Sequence, residues 1–439
     1  MTSGIRELPP NYRWNFALLF TGSVSFGAMT AFVSIDSVIP SLVSHLTDSA
    51  FLIGMIGTVF NISALLPQLV IAGVVQRSRR LKPILLTGGF MRLGAQLLVP
   101  ISFWLGVTRS PGAGLAVVFA YLAFFSLGDS ILALPWLDIL ARAIPVYRRG
   151  RLLGWRQALG RMTGIGAGFI VGRVLGNPAL PFPSNYALLF VFAIIALLPT
   201  VICLALLREP PRQMTEGERI GLLSGGGLKL VGGDPNFRRL VICRMLVAMS
   251  GLASIFYVVH AVDVGGLPMQ AIGQFVVAQT IGALLGSLGF GWLSERRGPV
   301  WVIRAGSLIV ALAPIAAFGV NAWPGVWSTW AYRTVFFALG ILETVWFQGF
   351  SNYLLEAAPD GMRPLYVGAS STIASLATFA PILGGWLLGR TSYGLLFGLT
   401  AVLLCCGFAA SFTLRSTYED AELDKLTTEA QACRKRQGH

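Results

Sequence analysis

Apolar runs of about twenty residues recur along the whole chain, and short polar segments separate them. Each run is long enough to cross a bilayer as a helix. Twelve are predicted, at 15–43, 50–75, 83–106, 114–143, 151–175, 185–207, 237–262, 270–293, 299–320, 326–356, 365–389 and 394–414. The one long polar interval between runs is Arg208–Asn236, Gly-rich and basic, which reads as a linker. The expected organisation is therefore a six-helix bundle over 1–207, a linker over 208–236, a second six-helix bundle over 237–414 and a tail over 415–439. The fold class is an all-α membrane protein of two six-helix halves related by a pseudo-two-fold repeat. Ahead of the first run, Met1 to Arg13 is polar with no small-residue cleavage site, so the first helix is expected to serve as the insertion signal.

Composition agrees. Of 439 residues, 55% are hydrophobic and only 12% charged, against about 25% charged in a soluble domain. The net charge of +14 would suggest a nucleic-acid partner, but the basic residues sit in short loops, so the partner expected from them is the lipid bilayer. Arg77, Arg79, Arg80, Lys82, Arg142, Arg148, Arg149, Arg151, Arg208, Arg238, Arg239, Arg296, Arg297 and Arg363 fall in one set of loops. The opposite loops hold little beyond Arg109, Arg173 and Arg390. Basic residues concentrate on the cytoplasmic side of membrane proteins. Both termini and the linker are thus expected in the cytoplasm of a cell inner (plasma) membrane protein, and the chain is expected to be a monomer. No Cys/His spacing suggests a metal and no cofactor is implied; the proton is the expected coupling ion.

The halves repeat. Asp129, Asp138, Pro145, Arg149 and Gly154 in and after the fourth run are each followed, at one constant offset, by Glu343, Asn352, Pro359, Arg363 and Gly368 in and after the tenth. Internal repeats are the architecture of many secondary transporters.

One loop carries a more specific signal, Gly291-Trp-Leu-Ser-Glu295-Arg296-Arg297-Gly298 between the eighth and ninth runs. It resembles the Gly-x-Leu-x-Asp/Glu-Arg-x-Gly loop of the major facilitator superfamily. The corresponding first-half loop, Gly73-Val-Val-Gln-Arg77-Ser-Arg79-Arg80, keeps a glycine and basic residues but has Arg77 in place of the acid and Arg80 in place of the second glycine. Ala380-Pro381-Ile-Leu-Gly384-Gly385 is similar to a Gly-Pro-x-x-Gly-Gly element of antiporters. The resemblance implies alternating access, with Gly291, Glu295, Arg296, Gly298, Gly73, Arg77 and Arg80 as gating residues and Asp138 supplying the missing acid. The alternative is that these residues only terminate helices.

Ionisable groups at membrane depth are costly and face a cavity or a partner. Asp129 lies about 15 residues from either end of its run, about 20 Å at 1.5 Å per residue, and Glu343 lies at the matching depth. Arg92 and Arg161 also reach the midplane, Arg333 lies in the outer part of the tenth run, and Asp36 lies near the outer end of the first. Asp129 is either a coupling site or the ion-pair partner of Arg92 or Arg161. Glu343 has no evident cation at its depth, and an unpaired carboxyl in such a place would bind and release protons near neutral pH. Glu343, Trp346, Phe347 and Phe350 share one helical face, as do Asp129 and Trp136. This mixture suits an amphipathic or cationic substrate, unless it is ordinary helix packing. Asn61, Gln68, Gln279 and Gln348 are candidate lining residues, and His45 and His260 are expected at the interface.

The function expected is proton-coupled export of small organic, amphipathic compounds by alternating access; the alternative is proton-coupled symport of a sugar or organic acid. A polytopic enzyme or sensor is disfavoured, because no HExxH, GxSxG or Walker motif occurs and no sensory domain is appended.

Overall fold

The structure, a computed structural model, describes residues 9–107, 110–211, 233–320, 326–358 and 362–414. Expectations that fall on most of the linker, on the tail, on Arg109 and Pro359, and on the side chains of Gln68 and Arg363 lie outside the described residues.

No strand occurs among the described residues. Eleven helical segments are long and apolar enough to cross a membrane. The 28-residue helix Ala50–Arg77 takes the remaining position in the order. Span one is Tyr12–Phe32 followed by Val38–Ser44; spans two to six are Ala50–Arg77, Lys82–Trp104, Pro111–Ala143, Val146–Leu175 and Ser184–Leu206. Span seven runs over Pro235–Val264, and spans eight and nine are Ala271–Arg297 and Pro299–Gly319. Span ten joins Val326–Thr344, a wider π-helical stretch Val345–Ser351 and Asn352–Ala357. Span eleven covers Arg363–Ala374, a tight Ser375–Phe379 turn and Ala380–Leu388; span twelve is Tyr393–Ser411.

Several interruptions have sequence causes. Pro40 lacks the amide that would bond the carbonyl of Asp36, where span one breaks. Pro381 does the same to Ala377 in the tight turn of span eleven. Gly298 has φ 84, the left-handed region, and lets Arg297 end one helix while Pro299 opens the next.

The packing repeats with the sequence. In the first half span one packs on five and six, two on four, and three on four and six. The second half repeats this with seven on eleven and twelve, eight on ten, and nine on ten and twelve. Buried aliphatic and aromatic side chains fill each half, whereas Trp104, Phe169, Leu288, Phe318 and Trp327 stand exposed on its outside. Outward apolar surface of this kind needs lipid, not water, as its neighbour. The chain is a multi-pass membrane protein.

The halves meet along span five against eight and span two against eleven. A side chain on Gly273 would strike the backbone of Gly172 and Gly168, and one on Gly385 the backbone of Ala50, so small residues set these approaches. Thr58 Oγ1 donates to the carbonyl of Thr378 across the second seam, 3.2 Å. All these contacts lie away from the end that carries Asn15, Glu209 and Asp234, the linker end. At the linker end the described hydrogen bonds include ones inside each half: Asn15 Nδ2 donates to the Arg208 carbonyl and Tyr366 Oη to Asp234 Oδ2, each 2.8 Å.

Candidate functional site

Closing the halves at one end leaves a cavity of about 870 Å³ between them. Its lining runs from Asp36, beside the closed seam, to Leu153 and Asn352 towards the linker end. Spans one, two, four, five, eight and ten all contribute.

Two polar contacts cross this cavity. Arg161 Nη2 on span five donates to Glu343 Oε2 on span ten, a short ion pair with the side chains 28% and 41% exposed. Gln279 Nε2 on span eight donates to Asp36 Oδ2 on span one, 2.7 Å. A part-wet ion pair contributes only about 0–1 kcal/mol, so a competing ion can displace it. Arg156, one turn nearer the linker end than Arg161, also lines the cavity; it lies over the Trp136 ring at 4.6 Å, and its Nε has no partner among the described residues. Phe26, Phe60, Tyr121, Phe125 and Phe347 provide aromatic wall.

Several sequence expectations are corrected here. Glu343 has a cation at its depth after all, brought from the other half. Of the two alternatives for Asp129, the ion pair with Arg92 is the one present, Nη1 to Oδ1 3.5 Å, and both residues line a smaller side pocket instead of the cavity. Trp136 lines that side pocket too. The supposed shared face of span ten is split, because the π-helical stretch over Val345–Ser351 changes the angular step. Phe347 and Gln348 face the cavity, Phe347 at 75% exposed, while Phe350 is 1% exposed in the core and the Trp346 ring lies tilted against it, centroids 5.3 Å apart. Arg333 donates to Gln274 Oε1, 2.7 and 3.2 Å, outside the cavity lining. Asn61 is exposed but does not line it. His260 is buried and bonded to Tyr332, not interfacial.

The gating candidates divide. Gly298 is the positive-φ turn described above, and Arg296 lies over Trp292 at 4.5 Å. Gly291, Glu295 and Arg296 lie in the last turns of span eight. In the first half Gly73 sits inside a continuous helix with no left-handed turn, Arg77 ends that helix, and Arg80 is exposed beyond it. Arg142 donates to Asp138, 2.5 Å, and to Glu209, 3.2 Å. It is Glu209, at the start of the linker, whose carboxylate accepts the Leu81 and Lys82 amides, 2.8 and 3.0 Å. This places a negative charge on the N-terminus of span three, where the helix dipole favours it. Sequence reasoning missed Glu209 and Arg156. Glu209 is distant in sequence from the loop it serves; Arg156 lies in the first turns of the fifth run, beside the basic loop, and no motif sets it apart.

The chain matches the family described as Major Facilitator Superfamily over residues 19–380 and 266–435. The chain belongs to the major facilitator superfamily. That makes it a transporter, not an enzyme, with a small molecule as its substrate. Within the superfamily, a protein described as a gentisate transporter from Corynebacterium glutamicum is 24% identical over 346 residues, covering 74% of this chain and 73% of that protein. An uncharacterized protein of Mycobacterium tuberculosis is 23% identical over 392 residues, covering 86% of this chain and 72% of that one. Among solved superfamily folds, a bacterial homologue of the iron transporter ferroportin in an inward-facing state aligns with TM-score 0.71 at 14% identity, covering 92% of this chain and 98% of that one. An outward-facing structure with the same description aligns less closely, at TM-score 0.59, 16% identity and coverage of 92% and 99%. A bacterial homologue of the lysosomal transporter Spinster, inward-facing, gives TM-score 0.64 at 17% identity, covering 92% and 97%.

Proposed function

We propose that this transporter carries small organic acids across the cell membrane together with protons, by alternating exposure of the central cavity. The reading rests on the Arg161–Glu343 pair spanning the two halves inside that cavity. A substrate carboxylate takes the Arg161 guanidinium, which binds carboxylates in a two-pronged geometry. Glu343, released from its cation, takes up a proton. The Arg161–Glu343 site then holds no unpaired charge, and the halves rock with the substrate inside. On the other side the carboxylate leaves, Glu343 loses its proton and the pair re-forms. Aromatic walls supply the apolar contact that an aryl ring needs. The relative described as a gentisate transporter supports this class, since gentisate is an aromatic carboxylate. The basic residues gathered at the linker end favour a cytoplasmic linker, which makes the described state the inward-open one. An anion entering a cell that is negative inside works against about 2.3 kcal/mol per charge per 100 mV; a co-transported proton removes that opposition and suits uptake.

A second reading, export of an amphipathic cation, rests on Asp36, a cavity carboxylate whose described hydrogen bond comes from the neutral Gln279. One assay separates them. Flux of a benzoate-type acid into proteoliposomes is measured with and without an imposed pH gradient, for the native chain, Glu343→Gln and Asp36→Asn. The anion reading expects gradient-driven flux that Glu343→Gln abolishes. Full gradient-driven flux in Glu343→Gln sinks it; flux of organic cations that only Asp36→Asn abolishes establishes the other.

A further inference from the structure

A second cavity lies inside the first half, between spans one, three, four, five and six. It has a volume of about 150 Å³. We propose that it is a binding site for a small monovalent anion, a halide such as chloride or a compact carboxylate.

The argument starts from Arg92. Its side chain is 3% exposed, and its Nε and Nη2 have no hydrogen-bond partner among the described residues. Its only ionic contact among the described residues is the 3.5 Å approach of Nη1 to Asp129, at the outer limit of a useful hydrogen bond. Phe26 and Phe125 lie against the guanidinium, with ring centroids 4.1 and 5.2 Å away. Aromatic faces attract the charge but accept no N–H in its plane. A buried guanidinium has five donors to satisfy, and leaving buried donors unmet is costly. Arg156 enters the same pocket from span five with an unpartnered Nε of its own.

Charge fixes the valence. The charged residues lining the pocket are Arg92, Arg156 and Asp129; spans one and six contribute none. The site therefore carries one net positive charge, which a monovalent anion neutralises. Asp129 is 49% exposed, so its charge is weakened by solvent and does not cancel Arg92 alone. Size limits the ligand. A volume of 150 Å³ is of the order that takes benzene or xenon, enough for chloride or formate with accompanying water and tight for a substituted aromatic acid. Leu18, Leu132 and Leu204 close the wall, which suits a weakly hydrated ion better than a multivalent oxyanion.

The test is the thermal melt of the purified, detergent-solubilised chain at constant ionic strength, with gluconate replaced stepwise by chloride, bromide or formate, and sulfate as the divalent control. The expected result is a saturable rise of about 3 °C with the small monovalent anions and none with sulfate. Asp129→Asn raises the pocket's charge by one, so its half-saturating chloride concentration should fall at least threefold. Arg92→Gln combined with Asp129→Asn removes one charge of each sign and should abolish the rise; where that double variant does not fold, the Asp129→Asn titration decides alone. Arg161→Gln separates the two sources of anion: it should keep the chloride response while losing any response to benzoate, which belongs in the central cavity. Identical melts in chloride and gluconate would overturn the site and leave only water in the pocket. An Asp129→Asn half-saturation that is unchanged or raised would overturn it, as would a chloride response that disappears in Arg161→Gln.

Discussion

Asp129 and Glu343 occupy equivalent positions of the repeat, on spans four and ten, yet they do opposite work. Asp129 looks inward, to Arg92 on the neighbouring span of its own half. Glu343 looks outward, across the cavity to Arg161 on the other half. The first pair lies within one half. The second joins the two halves, which move apart in the proposed cycle. Repeated sequence sets a residue's depth in the membrane, whereas its role follows from whether its partner moves with it. The loops show the same split: the second half turns at a left-handed Gly298, and the first half continues its helix through Gly73 and borrows Glu209 from the linker.

The largest expected effect is on Glu343. Glu343→Gln should cut pH-driven flux at least tenfold while the protein stays folded, because a part-exposed pair contributes only about 0–1 kcal/mol to stability. Asp129→Asn should reverse that profile, with flux within threefold of native and stability in gluconate buffer lower by about 1–3 kcal/mol, since the buried Arg92 guanidinium loses the carboxylate paired with it. Equal flux losses in the two variants would erase the distinction between the halves. Next come the loop glycines. Gly298→Ala forces a side chain into a left-handed conformation and should cost about 1–2 kcal/mol; Gly73→Ala, inside a helix with open space around it, should be neutral or stabilise by up to about 1 kcal/mol. Melting temperatures of the two variants check this, and equal destabilisation would mean that both loops turn alike. The smallest effect is at Glu209. Glu209→Gln keeps one acceptor for the span-three amides but loses the charge, and should cost about 0.3–1 kcal/mol. A larger loss, read from the same melts, would make Glu209 a structural post for the whole linker end.

Much of the architecture is legible without coordinates. Bilayer thickness demands about twenty apolar residues per crossing, so span positions follow from local composition, and the repeat follows from the constant offset of Pro145, Gly154 and Asp129 from their counterparts. Site residues are less legible. Glu343 was readable as an intramembrane acid, but its partner Arg161 is on another half of the molecule, and no local rule pairs them. The aromatic face of span ten misled because one π-helical stretch rotates Trp346 and Phe350 away from Phe347. Arg156 carried no signal of its own, because it follows Arg151, the last of the loop residues Arg148, Arg149 and Arg151, by little more than a turn of the same helix.

Local chain chemistry therefore determined what crosses the membrane, where it crosses and at what depth each charge sits, because those depend on runs of neighbouring residues and the fixed thickness of lipid. Tertiary structure decided which charges meet. It set Arg161 against Glu343, Arg92 against Asp129 and Glu209 against the start of span three. The reason is physical: a buried charge is stable only beside a partner within a few ångströms, and in a bundle of twelve spans that partner comes from whichever helix packs alongside, however distant it is along the chain.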